Sequence, residues 1–148
     1  MRETKTRTHS AQETRRFGKW LCRFLRANDV VGLAGQLGSG KTILVQGIGE
    51  GLSVSDRVRS PSFTIVNEYR GVRPLYHIDL YRLTPEEFFR LGLDEYLSGD
   101  GIAVIEWADK IKDYLEDEGI YIELKRVTAK ERELTLHTQR DIDAGSWS

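Results

Sequence analysis

Apolar residues recur along this chain with two distinct periods. From about Ala11 to Arg26 they return every three or four residues, which predicts an amphipathic helix. The preceding run Ser10-Ala11-Gln12-Glu13 has the form of a capping box, in which a serine and a glutamate satisfy backbone N–H groups at a helix start. By contrast, 29–34 and 101–107 are continuous apolar runs with the length and composition of buried strands.

Four further runs alternate between apolar and polar residues, as strands with one buried face do. They are expected to form two antiparallel pairs, 63–69 with 75–81 and 120–127 with 132–137. The pattern thus adds antiparallel strands to the two that are buried on both faces.

Two short helices are predicted between the later strands. One begins after the cap Thr84, with Pro85 at its first position, and ends at Gly92. The other is an amphipathic stretch through Ile111 and Leu115. The order of elements indicates an α/β fold with a mixed sheet that has a parallel core and antiparallel additions.

Length and composition narrow the class of protein. The chain has 148 residues, and we expect 1–148 to form a single domain whose polar end, from about Thr138, is frayed. A net charge of −1 argues against bulk electrostatic binding to nucleic acid or anionic lipid, although it leaves room for a local basic patch. The single cysteine, Cys22, is expected to pack as a small hydrophobe. No apolar run approaches the ~18 residues of a membrane span, and the amino terminus lacks the apolar core of a signal peptide, so a cytoplasmic protein is expected.

The segment Gly35–Thr42 has the GxxxxGK[ST] spacing of a phosphate-binding loop and lies between a strand-like and a helix-like run. Glycines let backbone N–H groups face the phosphates, and the N-terminus of the following helix adds its dipole. Lys41 would contact the outer phosphates, and the Thr42 hydroxyl would bind Mg²⁺. The predicted nucleotide-binding residues of this segment are Gly35, Gly38, Ser39, Gly40, Lys41, Thr42 and Ile43. The loop predicts a three-layer fold of the P-loop NTPase type, and the absence of NKxD from the sequence favours ATP over GTP.

Two carboxylates are candidates for chemistry at the phosphates, and with Lys41 they are the predicted catalytic residues. Glu106 ends an apolar strand, which would bring it beside the phosphate loop as a magnesium ligand; the alternative is a solvated charge at a strand end. Asp79 interrupts an alternating run and would order a water or a metal-bound ligand; the alternative is an exposed strand face.

Other candidate residues carry less specific signals. Ser60 and Ser62 lie in an irregular segment, where nucleotide enzymes often have a mobile loop that senses the outer phosphate. His77 is either a base or a packed strand residue, and Trp107 either shapes the nucleotide pocket or packs in the core. The sequence contains neither HExxH nor CxxC, so no zinc site is predicted.

Five segments taken together resemble one known family. They are Gly35–Thr42, Ser60–Tyr69, His77–Leu83, Leu91–Tyr96 and Ile105–Trp107, and their order spans nearly the whole chain. The combination of SPSF, HIDLYR and IEW resembles the bacterial TsaE (YjeE) ATPases. The resemblance implies a small P-loop ATPase that supports formation of threonylcarbamoyladenosine in tRNA, working with the TsaD and TsaB proteins.

The same resemblance implies roles for individual residues. Thr42 and Glu106 would hold magnesium, and Asp79 would be essential to hydrolysis. Adenine contacts in the family come from the first helix and the last strands, which here indicates Thr14 and Arg132. Two other activities are compatible with the phosphate loop: a small-molecule kinase, and a nucleotide-gated binding module with negligible turnover.

Overall fold

The computed structural model describes residues 2–61, 64–115 and 119–147. These ranges contain seven β-strands, three α-helices and four 3₁₀ segments. The strands are β1 (Arg2–Thr8), β2 (Val30–Ala34), β3 (Val66–Tyr69), β4 (Leu75–Asp79), β5 (Ile102–Glu106), β6 (Ile120–Arg126) and β7 (Arg132–Thr138). The helices are α1 (Ala11–Leu21), α2 (Lys41–Gly51) and α3 (Pro85–Arg90), and the 3₁₀ segments are Cys22–Phe24, Leu93–Leu97, Ala108–Tyr114 and Ala144–Ser146.

All seven strands form one mixed sheet in the order β1-β7-β6-β2-β5-β4-β3. Strands β6, β2, β5 and β4 run parallel to one another, whereas β1, β7 and β3 join antiparallel. The predicted α/β class, with a parallel core and antiparallel additions, is confirmed. Both predicted antiparallel pairs, β3 with β4 and β6 with β7, are present.

Alternate strand residues face two separate cores, because successive side chains of a strand point to opposite faces. One face carries Val31, Leu33 and Val104 against helices α1 and α2. The other face carries Ile78 and Ile105 against the residues of α3 and the 3₁₀ segment Ala108–Tyr114. The sheet is therefore the middle of three layers.

Helix ends follow the predicted capping chemistry. At α1 the Ser10 hydroxyl accepts a hydrogen bond from Glu13 N at 3.0 Å, but the Glu13 carboxylate binds the N–H of His9, one residue earlier than in a capping box. At α3 the box is complete, since Thr84 and Glu87 bind each other's backbone N–H groups. Gly92 then adopts a φ of 73°, which ends the helix in the left-handed region where glycine is favoured.

Helices α1 and α2 approach each other most closely through two glycines. A Cβ added at Gly47 would lie 1.9 Å from the carbonyl oxygen of Arg15, and one added at Gly18 would lie 2.4 Å from that of Leu44. No side chain fits at either position, so the glycines set the distance between the helices. Because α2 follows the phosphate loop, this packing also fixes where that loop lies.

The described residues at both polar ends have defined contacts, which differs from the expected frayed tail. Strand β1 pairs with β7 along its whole length. Beyond β7, Ile142 and Ala144 are buried, and Trp147 Nε1 donates to Thr6 Oγ1 at 2.7 Å. The Trp147 ring also packs edge-on against Phe17, with 5.8 Å between centroids. The tail thus covers part of the α1 core.

Two predicted helices differ from the observed ones. The first ends at Leu21 rather than near Arg26 and continues as a 3₁₀ turn. The one predicted through Ile111 is a 3₁₀ segment that is kinked at this residue (φ −124°, ψ 23°), where Ile111 and Ala108 are buried against the sheet. No helix in the described ranges combines the length and the apolar character needed to cross a membrane.

Cys22 has the packing role that its position predicted. Its Sγ donates to the carbonyl oxygen of Ile48 at 3.0 Å, and burial raises the pKa of the thiol to about 12. A thiol with so high a pKa is a poor nucleophile.

Candidate functional site

The phosphate loop has the backbone that its glycines were expected to permit. Gly38 and Gly40 adopt φ values of 79° and 100°, in the left-handed region that favours glycine. Gly40 directly precedes α2, which begins at Lys41. The first N–H groups of a helix have no intrahelical acceptor, so this end of α2 is suited to bind an anion.

Lys41 is almost fully enclosed, with 5% of its surface exposed. Its Nζ donates to the carbonyl oxygens of Gly35 at 2.5 Å and Gln36 at 3.0 Å, and lies 4.2 Å from the centre of the Trp107 ring. Burial lowers the pKa of Lys41, and the carboxylates of Glu106 and Asp79 oppose that shift. The loop therefore holds a cation whose hydrogen bonds are made to neutral backbone carbonyl oxygens, which a bound anion can replace as acceptors.

Glu106 and Asp79 are neighbours because of the β4–β5 register, which places them opposite each other at the ends of two parallel strands. Glu106 is 4% exposed, and its Oε2 accepts a hydrogen bond from Thr42 Oγ1 at 3.1 Å. Asp79 is 9% exposed, and its Oδ1 accepts from Tyr81 N at 2.9 Å. The expected juxtaposition of a hydroxyl and two carboxylates is present.

The pKa of Asp79 is raised mainly by burial. The hydrogen bond from Tyr81 N opposes this shift, and the nearby carboxylate of Glu106 adds to it. A carboxylate in this environment accepts a proton more readily than an exposed one, which suits a group that orients or activates water.

The residues present fit a magnesium ion held jointly with a nucleotide. Thr42 and Glu106 supply a hydroxyl and a carboxylate oxygen, the hard donors that Mg²⁺ prefers. Within the described ranges, no three His, Cys, Asp or Glu side chains are grouped to hold a metal ion. The pair Thr42 and Glu106 suits Mg²⁺, which is commonly bound by one or two protein groups together with phosphates and water.

Most of the predicted site residues line one cavity of about 500 Å³. It is lined by residues 37–43 of the phosphate loop together with Ser60, Asp79, Glu106, Trp107 and Arg132. Larger clefts, of about 790, 620 and 590 Å³, lie elsewhere in the described part of the chain and contain neither the loop nor these carboxylates. The chemistry of its lining therefore makes the smaller cavity the candidate site.

Thr14 and Arg132 both lie beside the loop glycine Gly40. A Cβ added there would be 3.7 Å from Arg132 Nε and 3.8 Å from Thr14 Cγ2. Arg132 Nη2 donates to Gly38 O at 3.0 Å, whereas the Thr14 hydroxyl is bound to that of Thr8 at 2.6 Å. Arg132 thus lines the cavity, whereas Thr14 lies next to Gly40 but is not one of the lining residues.

The remaining predicted residues divide into three groups. Trp107 lines the cavity and contacts Tyr81, with 5.0 Å between ring centroids, so it shapes the pocket. Ser60 lies at the cavity wall, and Ser62 falls outside the described residues. His77 is fully buried and bonds to Glu106 instead of lining the cavity.

Residues that sequence reasoning did not single out also shape the site. Ile65 lines the cavity, and it shares with Trp107 a positive φ, 70° and 61° respectively, which is strained for side chains of this size. Lys110 Nζ donates to the carbonyl oxygens of Leu80, Tyr81 and Leu83 at 2.8, 2.8 and 3.1 Å. It holds the segment that follows Asp79. Contacts to backbone carbonyls leave no mark in a sequence motif.

Comparison with known proteins gives a consistent result. The family model described as "Threonylcarbamoyl adenosine biosynthesis protein TsaE" matches residues 8–134. The chain is 44% identical to the tRNA threonylcarbamoyladenosine biosynthesis protein TsaE of Bacillus subtilis, over 92% of this chain and 86% of that protein. It is 38% identical to the protein of the same name from Treponema pallidum, over 87% of this chain and 96% of that one.

A solved structure agrees with the sequence comparisons. The fold matches the crystal structure of Bacillus subtilis YdiB with a TM-score of 0.78 and 41% sequence identity, covering 91% of this chain and 84% of that one. Because the family model covers most of the chain and relatives of this similarity align along most of their length, the chain belongs to the TsaE family.

Proposed function

We propose that this protein is a magnesium-dependent ATPase that supports the threonylcarbamoyladenosine modification of tRNA, hydrolysing ATP in a complex with TsaD and TsaB. The observation that carries the proposal is the single cavity in which the phosphate loop, Thr42, Glu106 and Asp79 meet. The names of the relatives, which refer to the biosynthesis of this modified nucleoside, support the biological role.

ATP would bind with its phosphates on the loop 38–42 and the start of α2. Lys41 already lies at the loop with its Nζ on the carbonyl oxygens of Gly35 and Gln36. Phosphate oxygens are stronger acceptors for an ammonium group than neutral carbonyls, so Lys41 would transfer to the outer phosphates. Arg132, which lines the cavity, and Thr14 behind Gly40 are the candidates for the adenine side.

Thr42 and Glu106 would hold Mg²⁺, which when bound neutralises charge on the phosphate oxygens. In hydrolysis a water attacks the γ-phosphorus, the bond from that phosphorus to the bridging oxygen breaks, and ADP leaves. Asp79 would orient this water, and the proton that the water loses passes to the released phosphate or to solvent. The Tyr81 N–H holds the Asp79 carboxylate in place for this task.

The proposal is tested by phosphate release from ATP, measured for the purified chain alone and with TsaD and TsaB. Lys41→Ala and Glu106→Ala should each lower turnover by at least about 100-fold, because each removes a charge that acts on the transferring phosphoryl group. Lys125→Ala is the matched control, since Lys125 is an exposed lysine on β6, outside the cavity.

The outcomes separate the proposal from its alternatives. Wild-type turnover in Lys41→Ala or Glu106→Ala, with the fold intact by circular dichroism, would refute the catalytic assignment. Turnover that does not change with TsaD and TsaB would remove the partner role. ATP-dependent partner binding without phosphate release would favour the nucleotide-gated binding module.

A further inference from the structure

His77 is a fully buried histidine whose ring meets the carboxylate predicted to hold magnesium. It lies on β4 two residues before Asp79, so both side chains point to the same face of the sheet. On β5, the register places Val104 opposite His77 and Glu106 opposite Asp79. His77 Nε2 lies 2.5 Å from Glu106 Oε2.

The hydrogen bonding defines which nitrogen carries the proton. An ionised carboxylate oxygen only accepts hydrogen bonds, so His77 Nε2 must donate to Glu106. His77 Nδ1 is buried and has no hydrogen-bond partner among the described residues. An unpaired buried acceptor destabilises a protein, and an apolar side chain here would avoid that cost. Packing alone therefore does not explain a histidine at this position.

The bond to His77 has a direct effect on the Glu106 carboxylate. Both Thr42 Oγ1 and His77 Nε2 donate to the same oxygen, Oε2. Two donors on one oxygen fix the rotation of the carboxyl group about its last bond. In the described part of the chain no hydrogen bond is made to Oε1, which leaves that oxygen available as a ligand.

We propose that His77 is a positioning residue, whose Nε2–H orients the Glu106 carboxylate for binding of Mg²⁺ together with a nucleotide. The inference rests on the proposed function in one respect: Glu106 must be a magnesium ligand. Partners that hydrogen-bond to metal ligands typically change metal affinity or activity by about 10–100-fold when they are removed. The role differs from that of a base, because His77 contacts neither the cavity nor a reacting atom.

Four variants separate positioning from packing. His77→Leu removes the donor but fills the space. His77→Gln retains an amide N–H at about the position of Nε2, whereas the shorter His77→Asn does not reach Glu106. Val104→Ala is the matched control, because Val104 is equally buried opposite His77 and is not one of the residues bonded to Glu106.

The measurement is the affinity for ADP by calorimetry, across a series of Mg²⁺ concentrations and in EDTA. For His77→Leu and His77→Asn, we expect a rise of about 10–100-fold in the Mg²⁺ concentration that produces half of the full magnesium-dependent change in ADP affinity. Affinity in EDTA should not change. His77→Gln should stay near the wild type, and Val104→Ala should keep the wild-type magnesium dependence.

Three outcomes decide against the inference. An unchanged magnesium dependence in His77→Leu, or in His77→Asn if the leucine variant does not fold, overturns it. An equal shift in Val104→Ala also overturns it, since general loosening of the strand would then be the cause. If ADP affinity of the wild type does not depend on Mg²⁺, the premise that Glu106 is a magnesium ligand fails. If the shifts occur as expected but no form of the protein releases phosphate from ATP, the ATPase proposal fails and the role of His77 remains.

Discussion

Replacing Gly47 by alanine should force helices α1 and α2 apart. The added Cβ would lie 1.9 Å from the carbonyl oxygen of Arg15, and Cβ atoms essentially never approach another heavy atom within 3.0 Å. The atom in the way belongs to the backbone of α1 and has no rotamer to change. One helix must therefore move by about 1 Å in an interior that is packed without spare volume.

Two effects of opposite sign determine the change in the free energy of unfolding. Overpacking of a core costs about 1–3 kcal/mol, and a clash with backbone belongs at the upper end of that range. Alanine stabilises a helix by about 1 kcal/mol relative to glycine. The expected net loss is about 2 kcal/mol, which lowers the melting temperature of a domain of this size by about 4–8 °C.

The assay is thermal and urea unfolding of Gly47→Ala beside Gly99→Ala, because a Cβ added at Gly99 meets no heavy atom within 4 Å. Gly99→Ala should unfold as the wild type does. ADP affinity should fall in Gly47→Ala alone, because α2 begins with Lys41 and Thr42. A Gly47→Ala protein as stable as the wild type would refute the argument that these glycines set the distance between the helices.

Two further predictions concern charges in the fold. In metal-free protein with EDTA, Asp79→Asn should raise the melting temperature at pH 7.5. Burial raises the pKa of Asp79 in the folded protein above its unfolded value. The free energy of unfolding of the wild type therefore falls as pH rises from the unfolded to the folded pKa, and it stays lower above that pH. The gain should disappear below about pH 4, where the carboxyl is protonated in both states, and a gain that is independent of pH would contradict this origin. Arg140 binds both oxygens of the buried Asp29 carboxylate, and its Nη1 donates to Oδ2 at 2.7 Å. Arg140→Ala should therefore lower the free energy of unfolding by about 3 kcal/mol, because it leaves that carboxylate without its charged partner. Adding Asp29→Asn should restore part of that loss in urea unfolding, and a double variant that is less stable than Arg140→Ala would disprove the assigned cause.

The parts of the fold that carry apolar patterns were predicted well, and the polar ends were not. Strand β1 is Arg-Glu-Thr-Lys-Thr-Arg-Thr, in which no apolar residue alternates with the polar ones. It is held by pairing with β7, and backbone pairing leaves no periodicity in the sequence. Ile142, Ala144 and Trp147 are too few and too unevenly spaced to form a helical or strand pattern, yet each packs against residues far away in the chain. Contacts of that kind depend on the assembled sheet and cannot be predicted from the local sequence pattern.

The same distinction applies within the site. Glu106 was predicted as a site residue because it ends an apolar strand, and the carboxyl end of a sheet strand would bring it beside the phosphate loop. Asp79 was predicted because a carboxylate interrupts an alternating run. The partner of His77 could not be predicted, because alternation shows that His77 and Asp79 share a face without showing which strand lies beside them. The sequence indicated only the antiparallel neighbour β3, but β4 also pairs in parallel with β5, far along the chain. A shift of that pairing by one residue would turn His77 and Asp79 to the face opposite Glu106. The site thus depends on the β4–β5 register, which the buried residues of both strands specify together.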